Sequence, residues 1–189
     1  LNTNESVKLS EYLFNIENAY VSENNIYLVN SEYNNNKTPI FENIKNLLLK
    51  GIIGYIRNIE MSDYDYNKYT TIYKFKINDD GSLKYNNKTK EEGSTINQFS
   101  LDEYQNKLRV ALSGNEGSRI VIFDENLKKI GSTEYLSKGE RMYSTRFLGN
   151  KAYMVTYKNT DPLYTIDLSI PTSPKVLGEL KIPGYSTYL

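Results

Sequence analysis

Two strand-like runs lie within residues 139–157, which read GERMYSTRFLGNKAYMVTY. Met142–Phe147 has the composition of a strand, and Ala152–Tyr157 alternates apolar and polar residues as a half-buried strand does. Gly149-Asn150 lies between the two runs and is a turn signal. The stretch therefore predicts two antiparallel strands that are joined by a tight turn.

This arrangement recurs along the chain with a period of about 45 residues. Gly93, Gly139 and Gly184 are 46 and 45 residues apart, and a predicted first strand follows each of them. A period of this length with four strands is typical of a β-propeller blade. A β-sandwich, which also uses short alternating strands, is the alternative. The predicted first strands are Ile96–Ser100, Met142–Phe147 and Tyr185–Leu189.

The other strands of each period line up in the same way. The predicted second strands are Asn24–Val29, Asn106–Ala111 and Asn150–Val155. The third strands are Thr71–Phe75, Arg119–Asp124 and Pro162–Asp167, and the fourth strands are Ser82–Tyr85, Leu127–Gly131 and Lys175–Gly178. We therefore predict an all-β partial propeller that forms an open arc. Its blades span about 14–92, 93–138 and 139–183, and a further blade begins at 184–189.

An insertion at residues 34–68 interrupts the first period. Apolar residues follow helical spacing after Pro39, and Thr38 is placed to cap a helix, which predicts an amphipathic helix near residues 40–56. Its apolar face is expected to pack on its own blade, and a partner protein is the alternative. The tyrosines here could contact sugars or peptides, although composition bias is the preferred explanation; they are Tyr55, Tyr64, Tyr66 and Tyr69.

Several segments resemble a known family. They are Asn97–Tyr104, Leu108–Ala111, Gly139–Gly149, Ala152–Thr156, Asp161–Leu168 and Pro174–Ser186. The sequence resembles secreted bacterial and archaeal proteins with a C-terminal β-propeller domain that is distantly related to WD40 repeats. The resemblance covers about Thr71–Leu189 and is looser over Asn18–Tyr33.

This resemblance implies a secreted or surface-attached propeller, and it carries over no catalytic or ligand-binding residue. Members of the family continue beyond the Gly-Tyr-Ser element at Gly184, so we expect a fragment of about three blades. The remaining blades of the parent protein are then one partner. Exposed apolar faces and unpaired strand edges also favour self-association.

Composition narrows the possible chemistry. The 189 residues include 23 Lys+Arg and 23 Asp+Glu, so net charge gives no reason to expect binding to nucleic acid. Without Cys or His the chain has no disulfide, thiolate zinc site or Ser-His-Asp triad. Its longest apolar stretch, Leu47–Arg57, is too short and interrupted to insert into a membrane. We expect no cofactor.

Two acidic segments invite a metal assignment. Asp63–Asn67 has the D-x-D-x-N spacing that opens a calcium loop, but lysines stand where the loop needs Gly and a bidentate Glu, at Lys68 and Lys74. A polar loop before a strand is therefore the preferred interpretation. Asp79–Ser82 contains Asp-Gly, which predicts a hairpin turn in place of a metal site.

Paired carboxylates support glycoside hydrolysis in many enzymes. The residues to consider are Asp102, Glu103, Glu140, Asp161 and Asp167. Because Asp124 and Asp167 recur just after a third strand, a structural turn is the better explanation for that position. Arg141 and Arg146 lie around a predicted first strand, and first strands line the central channel of a propeller. They could contact an anionic ligand there, although pairing with Glu140, Glu179 or main-chain carbonyls is preferred.

These observations favour a non-enzymatic binding or scaffold module of a secreted or cell-surface protein, whose ligand is a protein or a surface polymer. The alternative is part of an extracellular enzyme that acts on glycans or peptides with catalytic groups in other blades. A purely structural propeller that docks neighbouring domains is a third possibility. The sequence assigns no catalytic, cofactor-binding or metal-binding residue.

Overall fold

The computed structural model describes residues 16–33, 68–157 and 161–182. This part of the chain forms twelve β-strands and one short 3₁₀ helix, Gln98–Ser100. The first four strands are β1 Asn18–Val21, β2 Asn25–Tyr33, β3 Lys68–Ile77 and β4 Leu83–Glu92. The next four are β5 Leu101–Tyr104, β6 Lys107–Gly114, β7 Gly117–Phe123 and β8 Lys129–Ser132. The last four are β9 Arg141–Leu148, β10 Lys151–Tyr157, β11 Asp161–Asp167 and β12 Lys175–Ile182.

These strands form three four-stranded sheets in which consecutive strands pair antiparallel. The first sheet is β1–β4, the middle sheet is β5–β8 and the third sheet is β9–β12. The all-β prediction is confirmed, and so are the predicted second, third and fourth strands, most of which extend beyond their predicted ends. The described ranges contain no helix with the length and hydropathy that a membrane span requires.

The predicted first strand at Ile96–Ser100 is wrong. There the chain forms the 3₁₀ helix, and the strand starts only at Leu101. The side chain of Asn97 accepts a hydrogen bond of 3.0 Å from the backbone N–H of Phe99, which caps this turn. The cap competes with extended backbone, so β5 pairs with β6 only over Leu101–Tyr104.

Several predictions fall outside the described residues. They are the insertion helix near residues 40–56, the Asp63–Asn67 loop and the strand Tyr185–Leu189. Tyr55, Tyr64 and Tyr66 lie outside as well, whereas Tyr69 is part of β3. The blade boundaries at 14–92, 93–138, 139–183 and 184–189 stay a prediction.

The middle sheet is buried on both faces. Along β6, Leu108, Val110 and Leu112 pack towards the first sheet, in a cluster that includes Tyr27 and Ile72. Ala111 belongs instead to a second cluster, formed with the third sheet. A strand covered on both sides must be apolar at consecutive positions, which explains the nearly continuous apolar runs of β6 and β7. The two clusters stack the three sheets face to face.

The turns between the third and fourth strands of each sheet share one pattern of hydrogen bonds. In each, an aspartate oxygen accepts backbone N–H groups two to four residues further along the chain. Asp80 accepts from Ser82, Asp124 accepts from Asn126 and Lys128, and Asp167 accepts from Ser169. The hydrogen bonds from Ser82 and Ser169 lower the pKa of Asp80 and Asp167. These contacts confirm the predicted turn roles of Asp79–Ser82, Asp124 and Asp167.

Candidate functional site

An open groove lies where the first strands of the three sheets meet. Its volume is about 460 Å³, within the usual size of a small-ligand site. We call it the inner-strand groove. It is lined by Ala19–Val21 of β1, Gln98 and Phe99 of the 3₁₀ helix, Leu101 and Asp102 of β5, and Arg146 and Phe147 of β9.

Arg146 and Phe99 form a stacked pair in this groove. The guanidinium carbon of Arg146 lies 4.0 Å from the centroid of the Phe99 ring, a short cation–π contact. Arg146 Nη1 also donates a hydrogen bond of 2.9 Å to the carbonyl oxygen of Thr145, which confirms a main-chain partner for this arginine. Phe99 keeps 45% of its surface exposed. Arg141, the other predicted arginine, is exposed at the start of β9 and does not line the groove.

Asp102, on the wall of the groove, is paired with buried Arg109. Arg109 Nε donates to Asp102 Oδ2 over 2.9 Å, and Nη2 donates to the same oxygen. The guanidinium carbon of Arg109 also lies 4.7 Å and 5.1 Å from the ring centroids of Tyr104 and Phe147. Its Nη1 donates to the carbonyl oxygen of Gly149 over 2.6 Å. Arg109 therefore neutralises Asp102 and joins the middle sheet to the third sheet.

Glu103, the next residue of β5, joins the middle sheet to the first. Its carboxylate accepts hydrogen bonds from Ser22 Oγ at 2.6 Å, Asn25 Nδ2 at 3.0 Å and Tyr27 Oη at 3.0 Å. Its backbone N–H donates to Tyr20 Oη over 3.0 Å. Burial, together with the charge of Glu103 and the hydrogen bond to it, raises the pKa of Tyr27. Glu103 is thus held by donors from the neighbouring sheet.

The other carboxylates considered for hydrolysis have separate surroundings. Glu140 accepts a hydrogen bond of 2.6 Å from Thr156 Oγ1, in a cluster that also includes Ser137 and Tyr164. Asp167 belongs to its turn, and the side chain of Asp161 is not described. Among the described residues, no group of three or more acidic side chains is arranged to hold a metal ion.

Sequence reasoning singled out two groove residues, Asp102 and Arg146, and missed Phe99, the aromatic partner of Arg146. Phe99 was placed in a predicted strand, where aromatic residues are ordinary packing residues. The signal that could have revealed it is Asn97, because Asn readily accepts a backbone hydrogen bond two residues further on and starts a turn. Tyr20 and Gln98 gave no comparable signal in the sequence.

Comparisons with known proteins match this arrangement of sheets. A family model described as a beta propeller domain matches residues 1–189. An uncharacterized protein from Methanocaldococcus jannaschii is 44% identical over 149 residues, which cover 75% of the chain and 23% of the relative. An uncharacterized protein from Archaeoglobus fulgidus is 44% identical over 98 residues, which cover 51% of the chain and 16% of the relative. The chain thus spans less than a quarter of the length of these relatives.

Proposed function

The chain belongs to the beta propeller domain family, and from this premise we propose that it is a non-enzymatic binding module of a secreted or cell-surface protein. Its three sheets act as propeller blades, and its ligand binds in the inner-strand groove. The secreted or surface location rests on the family resemblance alone.

One observation carries this proposal, the composition of the inner-strand groove. An exposed aromatic ring and a guanidinium lie together in an open depression to which all three blades contribute. Partly exposed aromatic and arginine side chains are enriched at protein-binding surfaces because they offer rigid contact area and several donors. The groove has both kinds of group at one place, which suits recognition of a ligand.

The surroundings of the acidic residues also support a binding role. Asp102 is neutralised by Arg109, and Glu103 is held by three side chains of the first blade. A general acid or a nucleophile must reach its substrate, so carboxylates already held by protein donors are poorly placed for hydrolysis. The contacts of Glu103 join the middle blade to the first, and Arg109, which pairs with Asp102 inside the middle blade, contacts Gly149 of the third.

The test is a binding screen with the whole chain on peptides and on cell-surface polysaccharides, followed by two variants. We expect saturable binding to one class of ligand and an affinity at least tenfold weaker for Phe99→Ala. Ile170→Ala is the control, because Ile170 is 56% exposed and lies outside the groove. The control should bind normally.

Two results would overturn the proposal. One is the absence of saturable binding across the screen. The other is turnover of any component that is abolished by changing a single carboxylate, which would establish the alternative of an extracellular enzyme acting on glycans or peptides.

A further inference from the structure

We infer that Tyr153 links the third blade to a further blade of the same polypeptide. In this link the Tyr153 hydroxyl donates a hydrogen bond to a carboxylate near the end of the first strand of that blade. The inference concerns how blades recognise one another and is independent of the ligand proposed for the inner-strand groove.

The first step of the argument is a cross-strand pair that recurs at one register in all three sheets. In each sheet a first-strand residue pairs with the second-strand residue seven positions later. These pairs are Tyr20 with Tyr27, Asp102 with Arg109, and Arg146 with Tyr153. Because register decides the face on which a side chain lies, the three second-strand residues hold equivalent positions.

The second step is what this position does in the first two blades, where it donates to the blade that follows. Tyr27 Oη donates to the Glu103 carboxylate over 3.0 Å. Arg109 Nη1 donates to the carbonyl oxygen of Gly149 over 2.6 Å, and its guanidinium carbon lies 5.1 Å from the Phe147 ring centroid. Phe147 is the penultimate residue of β9, as Glu103 is of β5. The donor of each blade therefore meets the same place on the next one.

The third step is the face of the third sheet on which Tyr153 lies. Ala152 and Met154 of β10 pack towards the middle sheet. Tyr153 alternates with them and so lies on the opposite face, which we call the far face. Val155 and Leu163 pair across β10 and β11 and lie on the far face as well.

The far face has the apolar residues of a blade junction at the matching register. The pairs equivalent to Val155–Leu163 are Val29–Ile72 in the first sheet and Ala111–Ile120 in the middle sheet. Those four side chains are fully buried, because each belongs to a cluster shared with the next sheet. Leu163 keeps part of its surface exposed. A further blade would cover the far face as the other junctions are covered.

The polar partner of Tyr153 follows from its surroundings. The side chain is half-buried, and its hydroxyl has no hydrogen-bond partner among residues 16–33, 68–157 and 161–182. A tyrosine hydroxyl that becomes buried at a junction needs a partner. Tyr27, the tyrosine at the equivalent position, uses the carboxylate of Glu103. We therefore assign a carboxylate to the corresponding residue of the further blade.

The occupant of the far face is a blade of the parent protein and not a second copy of this chain. The relatives extend well beyond the region that they share with the chain, which provides the length for more blades. A second copy that docked by its first blade would present Val21 at the register of Glu103. Val21 accepts no hydrogen bond, so the Tyr153 hydroxyl would be buried without a partner, which is costly.

The experiment is photocrosslinking in the whole parent protein, with the photoreactive analogue p-benzoylphenylalanine in place of Tyr153. Mass spectrometry of the digested product identifies the segment that is joined to it. We expect a crosslink within one polypeptide, about 40 residues beyond Tyr153, which is the separation of Arg109 from Gly149. The analogue in place of Ile170, which is 56% exposed on a loop, is the control and should give no such product.

Tyr153→Phe tests the hydrogen bond separately. In the parent protein it should raise the equilibrium constant of unfolding at least fivefold, measured by urea denaturation. In the 189-residue chain it should have no effect, because the hydroxyl has no partner there. Tyr104→Phe is the matched control, since it removes a hydroxyl without a described hydrogen bond and keeps the ring beside Arg109. It should have little effect in either protein.

Three results would overturn the inference. A crosslink between two polypeptides would assign the far face to a second copy. A crosslink to a segment elsewhere in the sequence, or no crosslink, would remove the junction. Equal effects of Tyr153→Phe and Tyr104→Phe in the parent protein would remove the link at Tyr153. Because Tyr153 does not line the inner-strand groove, each of these results leaves the proposed binding function standing.

Discussion

Arg109 is a buried cation at the junction between the middle and third blades. Replacing it with Ala leaves Asp102 without its partner and removes the contact with the Gly149 carbonyl. We predict that Arg109→Ala lowers the free energy of unfolding by about 2 to 4 kcal/mol, because removing one member of a buried ion pair strands the other. Urea denaturation followed by circular dichroism measures the effect.

The control for this change is Lys138→Ala. Lys138 pairs with Glu116 over 2.8 Å, but both side chains are more than half exposed. An exposed pair contributes at most about 1 kcal/mol. Equal losses in the two variants would show that the Arg109 network does not stabilise the blade junction.

Buried Tyr27 makes the folded chain less stable as the pH becomes alkaline. Burial, followed by the charge of Glu103, raises the pKa of Tyr27 in the folded state above the value of about 10 in the unfolded state. Above pH 10 the unfolded chain therefore loses this proton more readily, and the stability present at lower pH declines as pH rises.

We predict that Tyr27→Phe reduces this alkaline loss of stability by roughly 1 kcal/mol between pH 9 and pH 11, the scale set by one proton over one pH unit. Urea midpoints at the two pH values, for the original chain and the variant, measure the difference. An alkaline loss that is unchanged in the variant would contradict the assignment to Tyr27.

At the residue scale, hydrogen bonds between residues close in sequence could be predicted, and contacts between residues far apart in sequence could not. The turn roles of Asp124 and Asp167 follow from hydrogen bonds within four residues, so the sequence contains all the information. The Glu103 carboxylate finds its partners between 76 and 81 residues away, and only the packing of one blade on the next brings them together. The same holds for the stacking of Arg146 on Phe99.

Gly131 tests the packing of an outer strand against the neighbouring blade. A Cβ at this position in β8 would collide with the backbone carbonyl of Pro171, on the loop between β11 and β12. We predict that Gly131→Ala lowers the free energy of unfolding by about 1 to 3 kcal/mol, because rigid backbone must move to admit the methyl group. Thermal and urea unfolding both measure the effect.

Gly178→Ala provides the comparison on another outer strand. Gly178 lies in β12, and a Cβ there meets no atom within 4 Å. The substitution should leave stability nearly unchanged. If the two variants are equally stable, the blades do not pack as closely at Pro171 as described.

Of the three outer strands, β12 is the least protected against pairing with the edge of another sheet. β4 carries Lys84, Lys88 and Lys90, and β8 is only four residues long. Lysines and short strands both discourage pairing between sheet edges. β12 has eight residues and also carries lysines, Lys175 and Lys181, but between them it exposes Leu177 and Leu180 by 56% and 57%.

The predicted self-association should therefore occur through β12. We predict that Leu177→Lys lowers the association constant of the chain at least tenfold in sedimentation velocity, because it replaces an exposed apolar side chain of this edge with a charge. Asn86→Lys, which adds the same charge to exposed β4, should have little effect. A strictly monomeric chain at high concentration would contradict edge pairing.

At the element scale, alternation predicted most strands because each one buries a regular set of positions. The second strands, which carry much of the core, were placed within a few residues. Ile96–Ser100 was misplaced because a side-chain cap at Asn97 outcompetes extended backbone, and periodicity does not register such a cap.

At the scale of the whole molecule, the middle blade joins the other two. It contributes to both apolar clusters. Its residue Glu103 is bound by side chains of the first blade, and its residue Arg109, which pairs with Asp102, donates to the Gly149 carbonyl of the third. The groove is built by all three blades, so its shape depends on both junctions. The repeat in the sequence predicted the blades, but the groove arises only from their packing.

Hydrogen–deuterium exchange of the whole chain, with and without a captured ligand, tests the central claim most directly. The account predicts that the ligand slows exchange together in segments containing Ala19–Val21, Gln98–Asp102 and Arg146–Phe147, which are distant in sequence and meet only in the groove. Protection confined to the outer strands, or to residues 34–67, would contradict binding in the inner-strand groove.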